Sequence, residues 1–197
     1  MSFSTLLRGA AVGVTLTALL VPSTAHAGKS VHRDAVGDVV SLTAEADNEQ
    51  FTPAPKAKRG DITRSVARHR AKRVTFKVRM REMPRRLHLT NFHTRVVTDK
   101  REYGIDVYNL PGPASEPMLA VRDGGVVECK GLTYERNHKL RFVRLSVPRA
   151  CIGGPRWVRL GASVFHLADG RPLFLDESHR DGIDDSHSIA VGPKVRR

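Results

Sequence analysis

The stretch Lys72-Arg-Val-Thr-Phe-Lys-Val-Arg-Met-Arg81 decides the fold. Val74, Phe76, Val78 and Met80 take every second place, and Arg73, Thr75, Lys77, Arg79 and Arg81 fill the places between. Successive side chains leave a β-strand on opposite sides, so this period of two marks a strand buried on one face. The alternation returns at Glu102–Asn109 (Tyr103, Ile105, Val107), at Lys139–Val147 (Val143, Leu145, Val147) and at Arg156–Val164 (Val158, Leu160, Ala162, Val164). Asp123-Gly124 and Asp169-Gly170 are tight-turn signals between short apolar runs. Further strands are expected near Val36–Ala46, Leu87–Val97, Met118–Val121 and Val126–Cys129. Ile62–Arg70 fits either a helical turn or a bulged strand, and Ile189 with Val191 could add a last strand. Asp47–Gly60, with Pro53, Pro55 and little apolar content, reads as a long loop. No apolar stripe of helical period runs for three turns. The expected fold is all-β, an antiparallel β-sandwich, immunoglobulin-like or jelly-roll-like, of about eight to ten strands. An open barrel is the alternative.

The chain of 197 residues suits one domain, and 40% hydrophobic residues exclude global disorder. Residues 1–27 read as a cleaved signal helix: Arg8 is the positive start, Gly9–Val21 the apolar run, and Ala25-His26-Ala27 the cleavage site. An apolar run of about 13 residues is too short to span a membrane, which needs roughly 20. Residues 28–197 are then the single sandwich domain, with no transmembrane span after cleavage. The expected location is extracellular, free or held at the cell surface. Cys129 and Cys151 are the only two cysteines, and outside the cytosol such a pair argues for a disulfide.

The stretch Ser146-Val-Pro-Arg-Ala-Cys-Ile-Gly-Gly-Pro-Arg-Trp-Val-Arg-Leu-Gly-Ala162 resembles a signature of secreted actinobacterial β-sandwich proteins of unknown function. Asp34-Ala-Val-Gly-Asp38, Gly60-Asp61-Ile62 and the acidic-to-basic tail Asp181–Arg197 are similar to further elements of that family. The resemblance implies a sandwich outside the cytoplasm. It implies no catalytic residue.

The formal net charge is +13, and it is concentrated. Lys56–Arg86 holds 13 basic residues and two acids, Asp61 and Glu82. If Val74, Phe76, Val78 and Met80 face the core, then Arg73, Lys77, Arg79 and Arg81 share one outer face, about 7 Å apart along the strand. Like charges so close repel unless an anion covers them. The candidate anion-binding residues are therefore Arg73, Lys77, Arg79 and Arg81. Their candidate partners are an anionic cell-wall polymer, lipid headgroups or an acidic glycan. A solvated, aggregation-resisting edge carries the same charge pattern. Specific nucleic-acid recognition is not expected, because Phe76 is the only aromatic of the basic segment and it belongs to the core face.

Acids gather near both ends of the domain. Asp34, Asp38 and Asp61, with Asp184 or Asp185, are candidate calcium ligands, since calcium takes six to eight oxygens. Solvated loop acids that pair with the basic segment are the plainer reading. No EF-hand loop, nucleophile elbow, zinc-binding His pair, phosphate loop or dinucleotide fingerprint occurs. The expected function is a secreted non-catalytic binding module that contacts an anionic polymer or surface through the basic strand face. The alternative is a secreted hydrolase whose site assembles only in the fold. Amino-terminal sequencing of the exported protein should read Gly28-Lys29-Ser30; an intact residue 1 would remove the signal-peptide assignment.

Overall fold

The computed structural model describes residues 28–45, 48–84, 89–109, 115–167, 172–181 and 188–197. The leader at 1–27 and the turn at Asp169-Gly170 lie outside them. In chain order the strands are β1 (Gly28–Arg33), β2 (Val40–Glu45), β3 (Asn48–Pro53), β4 (Ile62–His69), β5 (Arg73–Met80), β6 (Thr90–Thr98) and β7 (Glu102–Asn109). They continue as β8 (Met118–Val121), β9 (Val126–Val127), β10 (Thr133–Asn137), β11 (Phe142–Pro148), β12 (Trp157–Leu167), β13 (Leu173–Glu177) and β14 (Val195–Arg196). A single turn of 3-10 helix, Arg149–Ile152, precedes β12. One antiparallel sheet has five strands in the order β1-β4-β5-β11-β10; the other has nine, β3-β2-β13-β12-β6-β7-β8-β9, with β14 against β12. The fold is an all-β sandwich. Among the described residues no helix is long and apolar enough to cross a membrane.

The alternation read from Lys72–Arg81 is the alternation of the structure. Val74, Phe76, Val78 and Met80 are at most 3% exposed and face inward. Val143, Leu145 and Val147 from β11 stand beside them; Phe92 and Val96 (β6), Ile105 and Val107 (β7), Leu119 (β8) and Val158, Leu160 and Val164 (β12) complete the same core. Each such buried side chain contributes about 1.5–3 kcal/mol of apolar transfer. β7 and β8 occupy the expected ranges. Asp123, at φ 58°, makes the tight turn between β8 and β9.

Several expectations need correction. Asp47–Gly60 is not all loop: β3 lies within it and pairs with β2 in a hairpin. It was hidden because an exposed edge strand needs no apolar alternation. β1 and β10 escaped for the same reason, both being edge strands of the five-stranded sheet. Ile62–Arg70 is strand, with a register shift between Ile62 and Arg64 that makes Thr63 a bulge. The expected strand from Val36 starts only at Val40. The closing strand is Val195–Arg196, not the Ile189–Val191 region. Counting the short edge pieces, the described strands outnumber the expected eight to ten.

The carboxy-terminal segment closes the sandwich. β12 changes partner along its length, from β14 at Trp157 and Val158 to β13 at Ser163 onward. Between these, Gly192 N–H donates to Leu160 O at 3.0 Å. Gly161 makes room for this crossing, since a Cβ there would lie 1.9 Å from Ala190 O. Cys129 and Cys151 are joined, with Cα atoms 5.5 Å apart. The two cysteines are 22 residues apart in sequence, and a disulfide closing such a loop adds roughly 3 kcal/mol in the chain-entropy account.

His69 of β4, wholly buried, fastens the same seam. Arg149 Nε donates to its Nε2 at 3.0 Å, which leaves Nδ1 to donate to Val195 O at 3.2 Å. Burial, helped by the Arg149 and Arg197 charges, holds this imidazole below its ordinary 6.5 against the opposing Val195 carbonyl and Asp99. The unfolded chain therefore gains a proton near pH 6.5 that the folded chain refuses, so the stability this group contributes is full above that pH and declines below it. Lowering the pH from about 7.5 to 5.5 should lower the thermal midpoint of the unsubstituted protein relative to that of His69→Gln, since only the former carries this imidazole. An identical pH profile in that variant would contradict the assignment.

Candidate functional site

β4, β5 and β11 present their non-core side chains to the outer face of the five-stranded sheet. There they line an open groove of about 760 Å³. Lys29, Arg64, Arg68, Arg70, Lys77, Arg79 and Arg144 line it, with Glu135 as the acid among them. Strand register sets like charges directly opposite one another. Lys29 faces Arg68 and Arg33 faces Arg64 across β1 and β4. Arg64 faces Arg79 across β4 and β5, and Lys77 faces Arg144 across β5 and β11. Opposed pairs of this kind are destabilising on the order of 0.2–1 kcal/mol each. Glu135 ion-pairs with Arg144. Lys77 Nζ stands 3.6 Å from the centroid of the Phe142 ring. Among the described residues, no carboxylate lies within ion-pair distance of Lys29, Arg64, Arg68, Arg70 or Arg79.

The nine-stranded sheet differs. On its outer face Glu102 lies between Arg95 (2.8 Å) and Arg122 (2.7 Å). At its rim Asp99 holds Arg156 at 2.8 Å. The basic excess is left without acids chiefly on one face of one sheet.

The four expected anion-binding residues divide. Lys77 and Arg79 line the groove. Arg73 is committed elsewhere: its Nε donates to Ser146 Oγ at 2.6 Å, and its Nη2 to Ser146 O and Gly131 O at 2.7 Å. Arg81 lies beyond the end of β5 and donates to Asp61 Oδ2 at 2.7 Å. The sequence reading missed Arg64 and Arg68, because β4 was ambiguous and its parity unassigned. Lys29 and Arg144 are brought in by pairing between strands distant in sequence. Tyr134 is the groove's aromatic, and it packs against the core, so the groove offers no stacking platform.

A second cluster lies where the chain crosses between the sheets. Asp34 follows β1, Asp38 precedes β2, Asp61 precedes the Thr63 bulge, Asp176 belongs to β13 and Asp181 follows it. One oxygen from each of Asp34, Asp38 and Asp181 falls within 4.8 Å of the others, and so does one from each of Asp38, Asp61 and Asp176. Asp61 Oδ2 accepts from Gly37 N–H at 3.0 Å as well as from Arg81. Gly37, at φ 84°, occupies a backbone conformation that a side chain would strain. Asp176 Oδ2 accepts from Ile62 N–H at 2.5 Å, tying the two sheets together. Burial, reinforced by the Asp38, Asp181 and Asp61 carboxylates and slightly offset by the Ala35 amide, pushes the Asp34 carboxyl up to about 8. Burial likewise pushes Asp176 up to about 9, against the Ile62 and Glu177 amides. Of the five expected calcium candidates, Asp34, Asp38 and Asp61 come together here. Asp184 and Asp185 lie outside the described residues. Asp176 and Asp181 join the cluster instead. The hint for Asp176 was an acid directly after the apolar run Leu173-Phe-Leu175.

On the outer face of the nine-stranded sheet His93 Nδ1 lies 2.8 Å from Asp106 Oδ1. Ser163 is directly opposite His93 on β12, but its Oγ is buried and makes no hydrogen bond. The pair has the form of an acid–base couple, and among the described residues no hydroxyl or thiol is hydrogen-bonded to it. Trp157 lies partly exposed at the start of β12, under Lys194 Nζ at 4.4 Å.

No family model, curated protein or solved structure matches the chain. Arg73→Ala should lower stability by about 1–2 kcal/mol through its lost hydrogen bonds. Arg79→Ala should be neutral or stabilising, because it relieves Arg64. Denaturant midpoints of the two variants check this; equal losses would show both arginines to be structural.

Proposed function

We propose that the protein is an exported, non-catalytic module that binds an anionic polymer along the groove of the five-stranded sheet. The observation that carries this reading is the row Arg33–Arg64–Arg79, three arginines at directly opposed register positions on β1, β4 and β5, of which Arg64 and Arg79 line the groove. A polyanion laid across them removes their repulsion and releases its own counter-ions, a gain that depends on salt. Arginine's planar fork suits phosphate and carboxylate alike. Five strands about 4.8 Å apart give a track of roughly 19 Å, long enough for several anionic groups of a polymer. Concavity favours a polymer chain over a flat lipid surface, which would meet only the groove's rims. The lack of a stacking aromatic disfavours bases. The hydrolase alternative has His93 and Asp106 in its support, but among the described residues no hydroxyl or thiol is hydrogen-bonded to that pair.

The test is binding of the purified protein to a glycerol-phosphate polymer, an acidic polysaccharide, anionic vesicles and single-stranded DNA over a salt series. Affinity for a polymer should fall steeply with salt, and Arg64→Gln or Arg79→Gln should reduce the logarithmic salt slope by about one each. Arg122→Gln, on the other sheet, should leave it unchanged. Salt-independent binding, or none, would overturn the reading; preference for vesicles would replace the polymer with a membrane surface.

A further inference from the structure

We infer that Asp34, Asp38, Asp61, Asp176 and Asp181 form a calcium site at the seam between the two sheets. Two observations beyond the gathering of acids point to a cation. The Asp34 side chain is fully buried, and no side-chain donor is in hydrogen-bond geometry with either of its oxygens. His32 Nε2 stands 3.4 Å from Oδ1, and Oδ2 has no counterpart of that kind. Asp61 is likewise fully buried; its Oδ2 is held by Arg81 and Gly37, while its Oδ1 is without a partner. Buried carboxylate oxygens without donors cost several kcal/mol unless protonated or matched by a positive charge. Arg81 supplies such a charge to Asp61 Oδ2.

The donor chemistry selects the ion. Every atom of both clusters is a carboxylate oxygen, which suits a hard cation rather than one that prefers nitrogen or sulfur. The chain has no free cysteine to offer. His179 Nε2 is turned toward Ser65 Oγ at 3.3 Å, and the His179 ring lies against His32 at 4.4 Å between centroids. Magnesium demands near-octahedral geometry and keeps much of its water, whereas calcium takes several carboxylates in a flexible shell. The ligands come from both sheets, so the ion would clamp them. Asp176 Oδ2 would keep its bond to Ile62 N–H and hold its strand in place. The site does not depend on the groove binding any polymer.

The experiment is thermal unfolding and calorimetry of the protein after chelation, titrated separately with calcium, magnesium and zinc chloride. Calcium should raise the midpoint and half-saturate below about 10⁻³ M, and magnesium at the same concentration should do markedly less. Asp34→Asn should abolish the calcium shift while its metal-free midpoint equals or exceeds that of the unsubstituted protein, since the cost of burying or protonating that carboxylate is gone. A role confined to folding would instead lower that metal-free midpoint. Asp38→Asn provides a second variant should Asp34→Asn fail to fold, and it too should lose the shift. No calcium shift in the unsubstituted protein, a shift kept by both variants, or tighter binding of zinc than of calcium would overturn the inference.

Discussion

A β-strand cannot send two neighbouring side chains to the same side. Burying Val74, Phe76, Val78 and Met80 in the sandwich therefore obliges Arg73, Thr75, Lys77 and Arg79 to share the opposite face. The same constraint acts on β4 and β11, whose inward residues fix Arg64, Arg68 and Arg144 outward. Apolar packing at the centre and charge crowding at the surface are thus one event. The core is strong enough to impose the arrangement, at about 1.5–3 kcal/mol for each buried apolar side chain against at most about 1 kcal/mol for each opposed cationic pair.

The two sheets are held together by polar devices as well as by the core. His69 links β4 to the carboxy-terminal strand through Val195 and to the 3-10 turn through Arg149. Asp176 links β13 to the start of β4. Both are buried, and a buried polar group is costly unless its partners are in place. At His69 both ring nitrogens have one. At Asp34 and Asp61 some oxygens do not. This asymmetry separates a seam that only holds the fold from one with capacity for an ion.

Much of the architecture was legible before any coordinates. Period-two alternation located β5, β7 and β12 to within a few residues, because a strand with one buried face writes that face into its sequence. Edge strands β1, β3 and β10 write no such pattern, and the bulge at Thr63 blurred β4. The candidate sites were legible only in part. Lys77 and Arg79 were placed correctly by parity. Arg73 and Arg81 were assigned to the same open face, yet each has hydrogen-bond acceptors that sequence spacing does not show.

Residue types and their alternation alone determined an all-β chain, a basic strand face and a cysteine pair available for bonding. Which arginines stand opposite one another, and which carboxylates meet at the seam, was decided by tertiary structure. Arg64 stands opposite Arg79, and Asp38 and Asp61 meet Asp176, through strand register and sheet order. Those follow from how the whole set of apolar faces packs together. Charge that sequence distributes along a line, the sandwich folds into two places: one crowded with cations at the surface, the other with carboxylates inside.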